Sequence, residues 1–233
     1  MVPLRLIATQ DDTIKNAIIK ATNRQTPVTD EQFFALSEFP KKLEAYFPTF
    51  NDGHNLFYER RPGQYNAEVS VERVRVSNMT MLVRAFASMF LDLPHRTTRN
   101  YKALLQKIGD DIFHSDHCLE PYYASAYANY RMDYFFRNQT LSSDLKPARY
   151  HLLLAFRLLT EPGTLPRINS HEMKRYCEAI MQILWNNEKC KKAFEDAGEL
   201  IRKTANGNMH RDNIRTEAFT KSLLISSRDK DIK

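Results

Sequence analysis

The stretch PYYASAYANYRMDYFFR, residues 121–137, decides the fold class. Its first residue is a proline, which suits the first turn of a helix because the N–H that proline lacks has no partner there. Tyrosines then recur at helical spacing, at Tyr123, Tyr127, Tyr130 and Tyr134. Such a stripe usually packs against neighbouring helices; a platform on which nucleic-acid bases stack is the alternative. The stretch predicts a long helix in a mainly helical protein.

Apolar residues recur at helical spacing on both sides of this stretch. The predicted helices cover residues 11–22, 30–36, 41–47, 78–92, 97–108, 121–137, 146–160, 170–187, 188–204 and 212–225. Prolines and glycines interrupt the pattern, most densely in the loop 161–167. We therefore predict an α+β region at 1–160, followed by a carboxy-terminal helical unit at 161–233.

Two short runs, residues 55–60 and 68–76, predict β-strands. Pro62 and Gly63 stand between them as a turn signal, which predicts a hairpin. The valines of the second run change phase at residues 72–73, as they would at a β-bulge. The predicted fold is mainly α, a helical bundle with a small β-hairpin near the amino terminus.

Composition limits the class of protein. The chain has 233 residues, of which 42% are hydrophobic, enough to form a substantial core. Its apolar runs are shorter than the roughly 18 to 20 residues that cross a bilayer, and its start lacks a signal region. Three cysteines without a Cys-x-x-Cys pair indicate reduced thiols. We therefore expect a cytoplasmic protein without a membrane partner.

Positive charge is concentrated in one part of the chain. Residues 54–107 hold nine Lys/Arg against four Asp/Glu, a net charge of +5, out of +6 for the whole chain. Residues 1–53 and 108–187 each carry −1, and residues 188–233 carry +3. A basic surface attracts phosphates because binding releases counterions. This segment predicts a DNA or RNA partner, with an ordinary solvated surface as the alternative.

The same segment contains Tyr58-Glu59-Arg60-Arg61 at the end of the first predicted strand. Strand alternation places Tyr58 and Arg60 on one face, and Glu59 and Arg61 on the other. Two arginines in place of lysines favour planar, bidentate binding of phosphate. An ion pair of Glu59 with Arg61, or with Arg73 across the hairpin, is the alternative.

Two further groups complete the predicted binding site. Asn23 and Gln25 precede a proline, where their amides can bind bases and phosphates or end a helix. His95 and Arg99 lie at a predicted helix start, where free N–H groups attract anions, although a threonine cap at 97 or 98 is the alternative. We expect one shared surface, and the predicted nucleic-acid-binding residues are Asn23, Gln25, Tyr58, Arg60, Arg61, Arg73, His95 and Arg99.

Motifs for metal binding and catalysis are weak. Residues 114–118 contain two histidines, an aspartate and a cysteine, but no second ligand pair with zinc-site spacing follows. The formal nuclease pattern, Asp144 with Glu172 and Lys174, falls on predicted helices instead of the hairpin that such a site requires. Catalytic residues therefore stay unidentified. We expect no metal and no cofactor, and we expect the isolated chain not to cut nucleic acid.

Several motifs resemble the bacterial AIPR family, named for abortive infection and phage resistance. They are residues 18–28 (IIKATNRQTPV), 56–65 (LFYERRPGQY), 84–95 (RAFASMFLDLPH), Phe113, Tyr122-Tyr123, Tyr130-Arg131 and Arg149-Tyr150-His151. The resemblance covers about the first two-thirds of the chain. It implies a nuclease-like half upstream of the present first residue, so we expect this chain to correspond to the carboxy-terminal region.

The resemblance and the charge distribution together favour a nucleic-acid-binding or sensing module of an anti-phage abortive-infection protein. One alternative is a protein–protein interaction or autoinhibitory module that controls a nuclease, which an exposed apolar patch would indicate. The other is a nuclease in its own right, which requires carboxylates converging beside Arg60, Arg61 and His95. Self-association into a homo-oligomer is compatible with each.

Overall fold

The computed structural model describes residues 9, 11, 13–15, 37–97 and 100–228. Within them, residues 13–15 are helical, and 3₁₀-helices span Phe47–Thr49, Arg73–Arg75, Gly109–Asp111 and Ser143–Ala148. The α-helices are α1 (Glu38–Tyr46), α2 (Met79–Phe90), α3 (Pro94–Thr97), α4 (Tyr101–Ile108), α5 (Glu120–Arg137), α6 (Arg149–Thr160), α7 (His171–Trp185), α8 (Asn187–Ala205), α9 (Arg211–Ile214) and α10 (Glu217–Arg228). The prediction of a mainly α protein is confirmed.

The core of the bundle is formed by α2, α5, α6, α7 and α8. Helix α2 packs against α5 and α6, α5 packs against α7, and α6 packs against α8. Aromatic side chains join these helices: Phe86 stacks on Tyr122 with ring centroids 4.2 Å apart, and Phe156 stacks on Phe194 at 4.5 Å. All four are buried. Burying one such side chain stabilises the fold by about 1.5–3 kcal/mol, so these contacts fix the helix arrangement.

The stacking of Phe156 on Phe194 joins helices that lie on opposite sides of the predicted boundary at residue 160. Helices α6 and α8 therefore share one hydrophobic core. The division into units 1–160 and 161–233 stays a prediction.

The β element near the amino terminus is present, but it is not a hairpin. Strand β1 (Phe57–Glu59) pairs in parallel with β2 (Val76–Asn78), Phe57 lying opposite Val76. Parallel strands need a long crossover, which residues 60–75 supply. The change of phase in the valines marks the 3₁₀-helix Arg73–Arg75, which ends where β2 begins, and not a bulge. The hairpin and bulge predictions were therefore wrong.

Two predicted helices are each divided in the structure. The one predicted at 97–108 consists of α3 and α4, and the side chain of Asn100 caps α4 by accepting the N–H of Lys102. Thr97 is not that cap, because its hydroxyl donates to the carbonyl of Pro94 within α3. The one predicted at 212–225 consists of α9 and α10. The helix predicted at 30–36, and most of the one at 11–22, fall outside the described residues.

None of the helices in the described ranges has the length and apolar character needed to cross a membrane. The three cysteines, Cys118, Cys177 and Cys190, are buried and free.

Candidate nucleic-acid interface

A cleft of about 1200 Å³ lies between β2, the second half of α5 and the segment that leads into α6. We call it the basic cleft. Five cationic and two acidic side chains line it, a net charge of +3, and they are Arg73, Arg75, Arg137, Lys146, Arg149, Glu59 and Asp133. A second cleft, which is described below with His95, is smaller, at about 370 Å³.

Two of the five cations have carboxylate partners. Arg149 donates to Asp133 over 2.7 Å. Arg75 donates to Glu72 over 3.1 Å and to two backbone carbonyls, and its guanidinium carbon lies 5.5 Å from the centroid of the Tyr130 ring. The positive charge of these two arginines is therefore largely balanced within the protein.

The other three cations are exposed and have no carboxylate partner in the described part of the chain. We call Arg73, Arg137 and Lys146 the rim cations. Arg73 donates to the side-chain and backbone oxygens of Asn66 over 2.8 and 2.9 Å. Arg137 donates to the backbone carbonyl of Asp133 over 3.3 Å. These acceptors are neutral, so the positive charge of the rim stays available to an anion.

The interior of the basic cleft is polar and aromatic. Asn129 is 4% exposed; its oxygen accepts from Arg149 over 3.3 Å, and its amide nitrogen donates to Asp133 over 3.4 Å. Asn78 accepts the N–H of Met81 over 2.9 Å. The rings of Tyr130 and Phe136 also line the cleft and are half-buried. The interior thus has amides and rings, whereas the unbalanced charge lies at the rim.

Two helices of the bundle begin at the basic cleft. Helix α2 starts beside the lining residue Asn78, and α6 starts at the lining residue Arg149. The amino-terminal end of a helix carries partial positive charge because its first N–H groups have no helical partner. The amino-terminal end of α2 therefore adds to the positive potential produced by the rim cations. The start of α6 adds less, because it continues the 3₁₀-helix Ser143–Ala148 and the N–H of Arg149 donates to the carbonyl of Lys146.

Of the sequence-predicted site residues, Arg73 lines the basic cleft, and so does its predicted partner Glu59. No ion pair joins these two residues; Glu59 instead accepts the backbone N–H of Gly63 over 2.9 Å. Arg61 is exposed just beyond β1. The faces predicted for this strand are correct, since Glu59 and Arg61 point away from the core.

Tyr58 and Arg60 point into the protein. Tyr58 is fully buried against Phe47, and burial raises the pKa of its phenol. The side chain of Arg60 is 8% exposed, and its Nε donates to Glu44 over 2.8 Å. Glu44 also accepts from Gln64. The structure thus gives Tyr58 and Arg60 packing and ion-pair roles beneath the strand, out of reach of a ligand in the basic cleft.

His95 lies in another part of the molecule. It lines the cleft of about 370 Å³ together with Arg96 and Arg215, and its Nδ1 lies 3.1 Å from the hydroxyl of Thr220. Nε2 of His151 lies 3.1 Å from the same hydroxyl. Burial, and to a smaller extent the charge of His95, lower the pKa of His151 to about 3. His95 therefore belongs to a buried polar cluster and does not share the cleft of Arg73.

Asn23, Gln25 and Arg99 lie outside the described residues, so their roles stay predictions. Arg137, Lys146 and Arg149 were not among the predicted site residues. They belong to the segment 108–187, whose net charge of −1 gave no signal. A shorter window would have found them, because residues 137–149 contain three cations and only Asp144 as an acid.

The formal nuclease pattern is divided between different ion pairs. Asp144 accepts from Arg202 over 2.9 and 3.0 Å, which lowers the pKa of its carboxyl to about 2. Lys174 lies 3.9 Å from Glu120. Among the described residues, no group of three or more His, Cys, Asp or Glu side chains is placed to hold a metal ion. In the cluster 114–118, His117 is bonded to the hydroxyl of Tyr122 at 2.9 Å.

Comparison with known protein families identifies a match over most of the chain. The sequence model of the family described as AIPR protein matches residues 1–220, well beyond the two-thirds of the chain over which the motifs were recognised. The matched region includes every residue that lines the basic cleft. No curated protein and no solved structure matches the chain.

Proposed function

We propose that this chain, which belongs to the AIPR family of abortive-infection and phage-resistance proteins, binds nucleic acid in its basic cleft. The observation that carries the proposal is the set of rim cations, three exposed positive side chains without carboxylate partners in the described structure. They come from three separate segments and surround one cleft. A phosphate backbone would supply the negative charge that the protein itself does not place there.

The position of these charges favours a polyanion. Exposed arginines and lysines lose little hydration when they contact a phosphate, and each contact releases counterions from the nucleic acid. Arg137 and Arg73 can also bind a phosphate through two N–H groups at once. By contrast, the buried Arg60 is already bonded to Glu44. The rim is therefore the place where nucleic-acid affinity would be generated.

The test is a fluorescence-anisotropy titration of the protein with labelled DNA and RNA oligonucleotides at several salt concentrations. Affinity should fall with salt with a log–log slope of about −2 to −3, because each neutralised phosphate contributes roughly 0.7 to 0.9. Replacing all three rim cations by alanine should bring the slope close to zero.

A matched control removes the same charge elsewhere. Lys102, Lys189 and Lys203 are exposed and lie outside the basic cleft, so the variant with all three replaced by alanine should keep the wild-type slope. Equal weakening by both triple variants would show that only the net charge matters, which contradicts a site in the cleft. Undetectable binding at low salt would contradict nucleic-acid binding itself and favour a protein-interaction module.

A further inference from the structure

We propose that the basic cleft takes a single strand of nucleic acid, with a base inserted into its interior, and not a duplex. This inference rests on the function proposed above and names its substrate class. It starts from the division of charge in the cleft: the rim cations are exposed and lack carboxylate partners in the described structure, whereas Arg75 and Arg149 are balanced by Glu72 and Asp133. A ligand that fits this pattern is anionic outside and neutral inside.

The interior offers what a base requires. The guanidinium carbon of Arg75 lies 5.5 Å from the centroid of the Tyr130 ring, and Phe136 supplies a second half-buried ring. Aromatic rings and arginine planes are the surfaces on which unpaired bases stack. Asn78 uses its oxygen to cap α2, which leaves its amide nitrogen to donate to a base edge. The exposed amide of Gln139 lies at the same cleft.

A duplex would not use these groups. Its bases are stacked on one another and its phosphates face outward, so it would contact the rim cations and leave the interior of the cleft unfilled. A single strand presents phosphates and unstacked bases together. The volume of about 1200 Å³ is somewhat larger than the roughly 300–1000 Å³ of a pocket for one small molecule, which suits a short segment of a strand.

The test compares four ligands with the same number of phosphates: oligo-dT, oligo-rU, an abasic single strand and a blunt duplex. All four affinities are measured at one salt concentration. Whichever of oligo-dT and oligo-rU has the higher affinity should bind about tenfold more tightly than the abasic strand and the duplex, which is the gain expected from stacking one base on an aromatic ring. Whether dT or rU binds more tightly identifies the preferred sugar.

Variants then assign the effect to the cleft. Tyr130→Ala should remove most of the advantage of the bases and leave the salt slope unchanged, whereas Tyr130→Phe should retain the advantage. Tyr134 is the matched control, since it is exposed on the same helix but does not line the cleft, and Tyr134→Ala should behave as wild type. The abasic comparison requires no variant, so poor folding of Tyr130→Ala would not prevent the test.

Two outcomes overturn the inference and are distinguishable. If the duplex and the abasic strand bind as tightly as dT and rU, with the slope still dependent on the rim cations, the single-strand inference fails and the proposed function stands. If none of the four ligands binds at low salt, the proposed function fails and the inference fails with it.

Discussion

The basic cleft and two buried polar sites elsewhere in the protein use the same residue types in opposite ways. By buried polar sites we mean the pair of Arg60 with Glu44 and the cluster of His95, Thr220 and His151. There the charged or titratable groups are largely buried and bonded to protein partners. At the rim of the cleft the cations are exposed and lack carboxylate partners in the described structure. Burial and partnership, and not residue type, separate a structural charge from one available to a ligand.

Arg60 and Arg73 illustrate the difference within one crossover of the chain. Both were predicted to contact nucleic acid, and they lie at opposite ends of the segment that joins β1 to β2. Arg60 directly follows β1, where alternation turns its side chain toward α1 and Glu44. Arg73 opens a 3₁₀-helix and is exposed at the cleft. If this comparison is correct, altering the pair of Arg60 and Glu44 should change the stability of the fold, whereas altering Arg73 should change the affinity for nucleic acid.

The largest expected effect is on the buried pair. Glu44→Gln should lower the free energy of unfolding by about 2–3 kcal/mol, because it removes a carboxylate charge that is paired with a largely buried guanidinium. Urea denaturation followed by circular dichroism measures the change. Lys146→Ala is the control, and as an exposed substitution it should change stability by no more than about 0.5 kcal/mol. If Glu44→Gln and Lys146→Ala changed the free energy of unfolding by similar amounts, the buried pair and the rim of the cleft would not differ as argued.

A smaller effect, dependent on pH, is expected from His151. In the unfolded chain its pKa returns to about 6.5, whereas in the fold it is lowered to about 3. Below pH 6.5 the unfolded state therefore binds more protons, and the contribution of His151 to stability is lost as pH falls toward 3. The free energy of unfolding should decrease from this cause by at most about 1.4 kcal/mol per pH unit.

The measurement compares urea denaturation of wild type and His151→Gln at pH 7, 6 and 5. Acidic groups elsewhere titrate in both proteins, so only the difference between the two curves reports on His151. Wild type should lose more stability than the variant between pH 6 and 5. If His151→Gln runs parallel to wild type instead, the histidine is not held neutral by burial.

Sequence periodicity predicted the helices well because each has a buried stripe. The helix predicted at 121–137 is α5, Glu120–Arg137, and the one at 170–187 is α7, His171–Trp185. The tyrosine stripe of α5 was also largely predicted: Tyr123 and Tyr127 are buried in the core, whereas Tyr130 reaches the cleft. The direction of β2 was not predictable, since alternation within a strand carries no information about how the crossover returns.

The cleft was harder to predict than the fold. Charge summed over long segments hid the contribution of residues 137–149, because the acids of segment 108–187 cancel its cations in the sum. In the structure one of those acids, Asp144, pairs with Arg202 outside the cleft. Only the packing of α5 against α2, together with the course of residues 138–148, brings Arg137 and Lys146 near Arg73. Such proximity depends on tertiary structure, which a local motif does not encode.

Photo-crosslinking tests the location of binding most directly. An oligonucleotide substituted with iodouracil, irradiated in complex with the protein, forms covalent bonds to nearby aromatic side chains that mass spectrometry of the peptides can identify. If a base lies in the basic cleft, crosslinks should form at Tyr130 or Phe136, both in α5. These crosslinks should be lost in the variant whose three rim cations are replaced by alanine. Crosslinks confined to residues 94–104 beside His95, with none on α5, would contradict the assignment of the cleft.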